Sequence, residues 1–443
     1  MTDGPGPAAR RGSATAARWV EVHRLAVAGR EAAIARHVGD LVSRAWLPRS
    51  RFADVAAIAS ATLTLGPHPG AFFDLGHAQT STGQPRQALV SYEQALRLFR
   101  EAGDRGNEAA TLNDIGTAYD RLGDREQALV YFRQALPIAR EVGDGAGQAS
   151  MLNNIGAAYS RLGDWERALA YYQRSLPIQR AVGNREGEAA CLSNIGLVHA
   201  NRGDRKQALA HYVQVLPIQR EIGDRAGEAI TLNNIGLMHD RFGDYEEALA
   251  HYAQALPLRR EVGDRAGEAA TLNNIGMAYE RLGNVKRALT FYERALPIAR
   301  EVGDRTGEAA TLSNIGMVYD RFGDREQALA HYAQALSIQR EIGDRGGEAI
   351  TLSNSATVRL RQGDLAGAKD GFDKALAALR AIGDRSSEAT TSMNMAALLF
   401  KTGKVGQAVE YQRRAVRLAE QTNHPELHRM RAILGHLLDA RRG

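Results

Sequence analysis

The side chains best suited to chemistry in this sequence are its histidines, its single cysteine and a set of regularly placed asparagines. Imidazoles and thiolates bind metals, or act as bases and nucleophiles, when two or three converge. His199 and His239 stand 40 residues apart, as do His211 and His251, and His331 follows in the latter register. Other copies of the same pattern carry Tyr119, Tyr131 or Phe291 at these places. A histidine that alternates with Tyr and Phe reads as a packed ring rather than a ligand. His424 and His428 are four apart, but Pro425 lies between them at a helix start, so they do not read as a ligand pair. Cys191 excludes an internal disulfide and occupies a column that is Thr in sister copies, which suits a small packing residue. No H-E-x-x-H or Cys pair suggests zinc. "KTGK" (401–404) lacks the spacing of a phosphate-binding loop and reads as a turn between helices. Ser, Thr and Asp fall mainly at turns and caps, without a fixed base partner. No catalytic residue, metal or cofactor is expected.

The asparagines are different. "TLNNIG" stands at 231–236 and again at 271–276, with "TLNDIG" at 111–116 and "TLSNIG" at 311–316. The second amide is nearly invariant: Asn154, Asn194, Asn234, Asn274, Asn314, Asn354 and Asn394, with Asp114 earlier in the column. The first varies: Asn113, Asn153, Ser193, Asn233, Asn273, Ser313, Ser353. Asn is a mediocre helix former because its side chain competes for backbone groups. Its repetition inside a helical pattern needs a reason.

The elements that carry these residues repeat every 40 residues. Gly recurs at 83, 123, 163, 203, 243, 283, 323, 363 and 403, and Ala follows five residues later each time. Such self-similarity marks stacked supersecondary units rather than two or three globular domains. Each unit reads as two helices. In 104–143, Asp104 caps helix A, which runs to about Leu122. Gly123 ends it, and Asp124 caps helix B with Gln127 three residues on, a capping-box pattern. Leu112, Ile115, Tyr119 and Leu122 line one face of helix A; Ala128, Leu129, Phe132, Ala135 and Leu136 line one face of helix B. Pro137, Pro177, Pro217, Pro257 and Pro297 fall inside helix B, where a kink or local break is expected to set curvature.

Leu112-x2-Ile115-Gly116-x2-Tyr119 followed by Ala128-x3-Phe132 resembles the tetratricopeptide repeat, with Leu in place of its Trp. The longer repeat is similar to the kinesin light chain and Pins-like groups, and the Asn pair to kinesin light chain; the Pins-like group places its Asn after the Gly, where this sequence has Thr117, Leu197 or Met277. The resemblance covers roughly 70–424 and implies an all-α, right-handed superhelical solenoid of antiparallel helix pairs. It implies nine repeats over 67–424, with the A helices lining a concave groove. Residues 15–66 read as an N-terminal helical cap or degenerate repeat, broken at "LPRS" (47–50). They resemble the helical arm of bacterial signal-transducing STAND-type NTPases. Residues 1–14 read as a disordered tail, and 425–443 as a capping helix and tail.

Beside the Asn column runs one that changes character: Thr117, Ala157, Leu197, Leu237, Met277, Met317, Thr357, Ala397. Its Leu/Met middle suits varied partners. Arg241, Arg281 and Arg321 flank it, preceded by acids. An extended peptide advances about 3.3 Å per residue, and packed helices lie about 8–10 Å apart. One amide per repeat therefore meets a peptide backbone about every third residue. The alternative is that the amides bond the neighbouring repeat. The expected function is a non-catalytic scaffold binding a protein or extended peptide; the alternative is a sensor for an effector (STAND-type NTPase, protease or transcription factor) or a peptide-signal receptor. The dicarboxylate clamp of chaperone-binding repeats is not supported, because its Lys and Asn are missing from the required columns. Net charge is +5, but the signs are interspersed, so no nucleic-acid patch is expected. Arg and Ala richness fits a GC-rich bacterial coding bias. No apolar run spans a membrane and no signal core opens the chain, so a cytoplasmic protein is expected.

Overall fold

The computed structural model describes residues 7–422 and 424–442, and all regular structure among them is helical. Three helices come first: α1 (Pro7–Ala28), α2 (Ala32–Trp46) and α3 (Phe52–Leu63). The A helices of the repeats are α4 (Pro69–Ser81), α6 (Arg105–Arg121), α8 (Gly145–Arg161), α10 (Arg185–Asn201), α12 (Arg225–Arg241), α14 (Arg265–Arg281), α16 (Arg305–Phe322), α18 (Arg345–Gln362) and α20 (Arg385–Lys401). Their B partners are α5 (Pro85–Ala102), α7 (Arg125–Glu141), α9 (Trp165–Ala181), α11 (Arg205–Ile222), α13 (Tyr245–Glu261), α15 (Val285–Glu301), α17 (Arg325–Ile342), α19 (Leu365–Ile382) and α21 (Val405–Gln421). A last helix, α22 (Leu427–Arg442), packs on α21 and buries Met430 and Leu437.

Local chemistry sets these boundaries. The Asp124 carboxylate accepts from the Gln127 N–H at 3.1 Å, and Asp304 accepts from Gly307 at 2.8 Å, each satisfying a donor that the first turn leaves open. Gly123 ends helix A at φ +86°, a conformation that costs an L side chain energy and costs glycine none. The glycine of "NNIG" has another task. A Cβ on Gly236 would sit 2.6 Å from the Tyr252 ring, so the missing side chain lets α12 and α13 close on a buried tyrosine.

Three expectations are corrected. Helix α1 begins at Pro7, inside the segment read as a tail; proline suits a first helical turn and Ala/Arg formers follow. Residues 1–6 lie outside the described residues. The first N-terminal stretch is also two helices, because Arg30 turns left-handed at φ +56° while the Glu31 N–H closes on the Ala26 carbonyl. The prolines do not break helix B: α7, α9, α11, α13 and α15 each run through theirs. Each proline lies in the last turns on an exposed position, where water solvates the carbonyl left without its N–H.

The chain divides into two compact units, 1–222 and 223–443. The first holds α1–α3 and four repeats; the second holds five repeats and α22. Each is a solenoid in which every helix packs mainly on its chain neighbours. Within each unit successive A helices also touch, as α6 does α8 and α14 does α16, with no comparable packing between successive B helices among the described residues. The A helices therefore line the inner curvature.

Candidate groove on the A helices

On each A helix, the residues left open to solvent recur at three- and four-residue spacing. On α12 the stripe runs Ala226, Ile230, Asn233/Asn234, Leu237 and Arg241, while Leu232, Ile235 and Met238 are buried. That periodicity turns the stripe toward the inner curvature and away from helix B.

The amide ladder joins successive repeats. The Asn154 Nδ2 donates to Asn113 Oδ1 at 3.0 Å, and Asn194 to Asn153 at 3.1 Å. In the second unit Asn274 donates to Asn233 and Asn314 to Asn273, each at 3.1 Å. The second amide of a repeat thus binds the first amide of the repeat before it. Where that first amide is Ser313, its hydroxyl pairs with Thr351 at 2.7 Å, and Asn354 has no hydrogen-bond partner among the described residues. Asn234 has none among the described residues of its own unit. The bonded amides stay half-buried. Each bond uses one donor of one amide and one acceptor site of the other, so further capacity remains.

The arginines form a second ladder of the same kind. Arg281 lies 3.8 Å from Asp240, and Arg321 pairs with Glu280 at 2.9 Å, each reaching back one repeat. Arg161–Asp120 and Arg361–Asp320 repeat the motif. Asp240 is 4% exposed; burial pushes its carboxyl up, and Arg281 and Arg241 oppose this. Arg241 itself is exposed and makes no ion pair among the described residues.

The apolar strip divides between the units. Leu197, 45% exposed, belongs to the first. Leu237, Met277 and Met317 lie half-buried on α12, α14 and α16 of the second. The Met277 thioether accepts from Asn273 Nδ2 at 3.7 Å, so the strip touches the ladder. Two residues that sequence reasoning did not single out extend it: Ile230, 47% exposed, and Ile350, 44% exposed. Their column is Gly, Ala, Ser or Thr in the other repeats, and that contrast was the available signal.

The sequence profile of the tetratricopeptide repeat family matches residues 70–141, 147–221, 192–261, 267–341 and 347–421. The chain belongs to the tetratricopeptide repeat family. No curated protein matches it by sequence. Among solved structures it is similar to the apo form of the quorum sensor NprR from B. thuringiensis. That match has 16% identity and a TM-score of 0.58, covering 69% of this chain and 88% of that one. It is also similar to aspartyl phosphate phosphatase F from Bacillus subtilis, with 10% identity, TM-score 0.53, and 76% and 96% coverage. A third is a STAND protein with a tetratricopeptide repeat sensor from Pyrococcus horikoshii, with 16% identity and TM-score 0.50. There the match covers 80% of this chain and 55% of that one. At these identities the likeness is one of fold.

The remaining reactive side chains serve the tetratricopeptide seams. Helix A and helix B of a repeat meet through stacked rings: Tyr119–Tyr131 at 5.4 Å, His199–His211 at 5.6 Å, His239–His251 at 5.5 Å and Tyr319–His331 at 5.4 Å. Burial, then the neighbouring imidazole, depresses the basicity of His211 and His251. For His331 the causes are burial, then Arg300. The Cys191 thiol donates to the Tyr172 carbonyl at 3.2 Å, and burial pushes its pKa up to about 11, which makes a poor nucleophile. Among the described residues no three His, Cys, Asp or Glu are placed to hold a metal, and no helix is long and apolar enough to cross a membrane.

Proposed function

We propose that the second unit is a non-catalytic scaffold that binds an extended peptide along its A-helix groove. The observation that carries this is the half-exposed line of Leu237, Met277 and Met317, flanked by Ile230 and Ile350, on the inner curvature. Beside it run amides with spare hydrogen-bonding capacity, Asn234, Asn274, Asn314 and Asn354. The amides recognise backbone and the apolar line selects side chains; Met adapts to more than one. The arginines play a smaller part than their column suggests, because Arg281 and Arg321 are already paired; Arg241 makes no ion pair among the described residues. Leu197, Asn154 and Asn194 present the same chemistry in the first unit. With a single, unpaired cysteine, the chain suits a cytoplasmic setting.

The test is panning of a phage-displayed random peptide library against the full chain. Enriched peptides should bind the native protein and lose binding to the triple variant Leu237→Ser, Met277→Ser, Met317→Ser, with helical circular dichroism unchanged. Undiminished binding by a folded triple variant sinks the groove assignment. A second reading, a regulatory sensor for a separate effector, draws on the neighbours described as a quorum sensor and as a STAND protein with a repeat sensor. It requires that an enriched peptide change the scattering profile of the chain, which a passive scaffold leaves unchanged.

A further inference from the structure

The A/B seam of almost every repeat closes with two contacting side chains at fixed positions. They are Gln79–Ser91 through a 2.8 Å hydrogen bond, then the stacked ring pairs, and Leu399 with Tyr411 in the last repeat. In the repeat built from α18 and α19 these positions hold Arg359 and Gly371. No ring fills the seam there. A cavity of about 250 Å³ opens between α17, α18 and α19.

The equivalent place one repeat earlier is a cleft floored by the Tyr319–His331 stack, position for position 40 residues upstream. The two clefts differ in that floor and in their walls, where Glu293 and Ile315 of the first give way to Ala333 and Ser355 of the second. Leu336, Leu352 and Ala356 supply an apolar wall to the cavity, and Arg340, Arg359 and Lys374 line it together with the carboxylate of Asp370. Arg340 is paired with Glu348 at 2.6 Å and Lys374 with Asp370 at 2.7 Å. Arg359 is half-buried and has no ion-pair partner among the described residues. Room for drug-sized ligands takes about 300–1,000 Å³, so this cavity suits a group the size of a side chain.

We propose that this cavity binds an aromatic carboxylate, its ring against Arg359 and its carboxylate among Arg340, Arg359 and Lys374. Gly371 packs directly on Ala356, where an added Cβ would meet the Ala356 Cβ at 2.9 Å, and Arg359 has no ring partner among the described residues. A guanidinium stacks on an aromatic face and stays charged to pair with a carboxylate, whereas a Tyr in its place is neutral. Free aromatic acids and the C-terminal aromatic residue of a peptide carry the same chemistry. The cavity lies between B helices and the back of α18, away from the A-helix stripe, so it stands or falls independently of the groove.

The test is calorimetric titration of the full chain with N-acetyl-L-phenylalanine, its amide and N-acetyl-L-alanine. Saturable binding of the first is expected, weakened about ten-fold or more when ring or carboxylate is removed. Arg359→Gln should weaken it similarly. Arg359→Tyr restores the residue that the same column holds elsewhere and should abolish it in a folded protein. The groove triple variant should bind like the native chain. A peptide ending in Phe with a free carboxylate, compared with the free acid, tells a peptide terminus from a small acid; binding of either supports the site. Absence of saturable binding by both, equal binding of the amide, or native affinity in Arg359→Tyr overturns it.

Discussion

At the scale of single residues, the amide ladder shows how one residue type answers two demands. Asn274 and Asn314 tie their helices to the preceding repeat and still face the groove. Asp114 is the exception that reveals the demand. The place one repeat before its helix is Phe73, and among the described residues its carboxylate accepts from Asn113 alone, at 3.2 Å. Burial pushes its pKa up to about 7, against that one hydrogen bond. The folded chain therefore holds this proton more tightly than the unfolded chain. Its stabilising effect is full below the unfolded value of about 3.9 and is lost as pH rises through about 7. Asp114→Asn should be more stable than the native protein at pH 8, with the advantage shrinking toward pH 4, measured by urea midpoints at both. The carboxyls of Glu108, Glu188 and Glu268 titrate the other way. Burial raises them, but paired arginines outweigh it and hold them below the ordinary range. Their contribution is present above about 4.3 and lost below it. Both proteins share that trend, so it cancels in the comparison.

At the scale of elements, the seams decide which helix faces meet. Leu, Ile and Gly of "TLNNIG" close helix A on a buried tyrosine, and this much follows from apolar spacing. The prolines of helix B were legible as interruptions, yet the helices continue. Packing of Ile298 and Ala299 after Pro297 holds the last turn of α15 in place despite the missing hydrogen bond. An interior proline costs about 3 kcal/mol relative to a helix former, less near a solvated end. Pro297→Ala should thus raise stability by about 1–3 kcal/mol, read from the urea midpoint. An unchanged or lower midpoint would mean that proline contributes through contacts or the unfolded chain.

At the scale of the molecule, each unit is stabilised by nearest-neighbour interfaces, so its ends need covers. Helix α22 covers the last one, where Leu437 joins Leu399 and Val409, and Met430 joins Met393 and Val416. A chain stopped after residue 422 should expose that face. Amides of α20 and α21 should then exchange hydrogen faster while those of α12–α15 keep their protection, read by hydrogen exchange with mass spectrometry. Uniform loss of protection would instead indicate that the second unit opens as one cooperative block.

The sequence by itself determined the repeat, its paired helices, its caps and its buried seams, because these follow from local propensity and from the 40-residue periodicity of apolar positions. It also marked Asn, Leu/Met and Arg columns on one helix face. Only the tertiary structure decided what those columns do to one another. Asn274 meets Asn233, and Arg321 meets Glu280, across 41 residues of chain. The cavity beside Arg359 likewise takes its lining from three helices, α17, α18 and α19. Such relations depend on how one repeat is rotated and offset against the next, which no single helix encodes in its own periodicity.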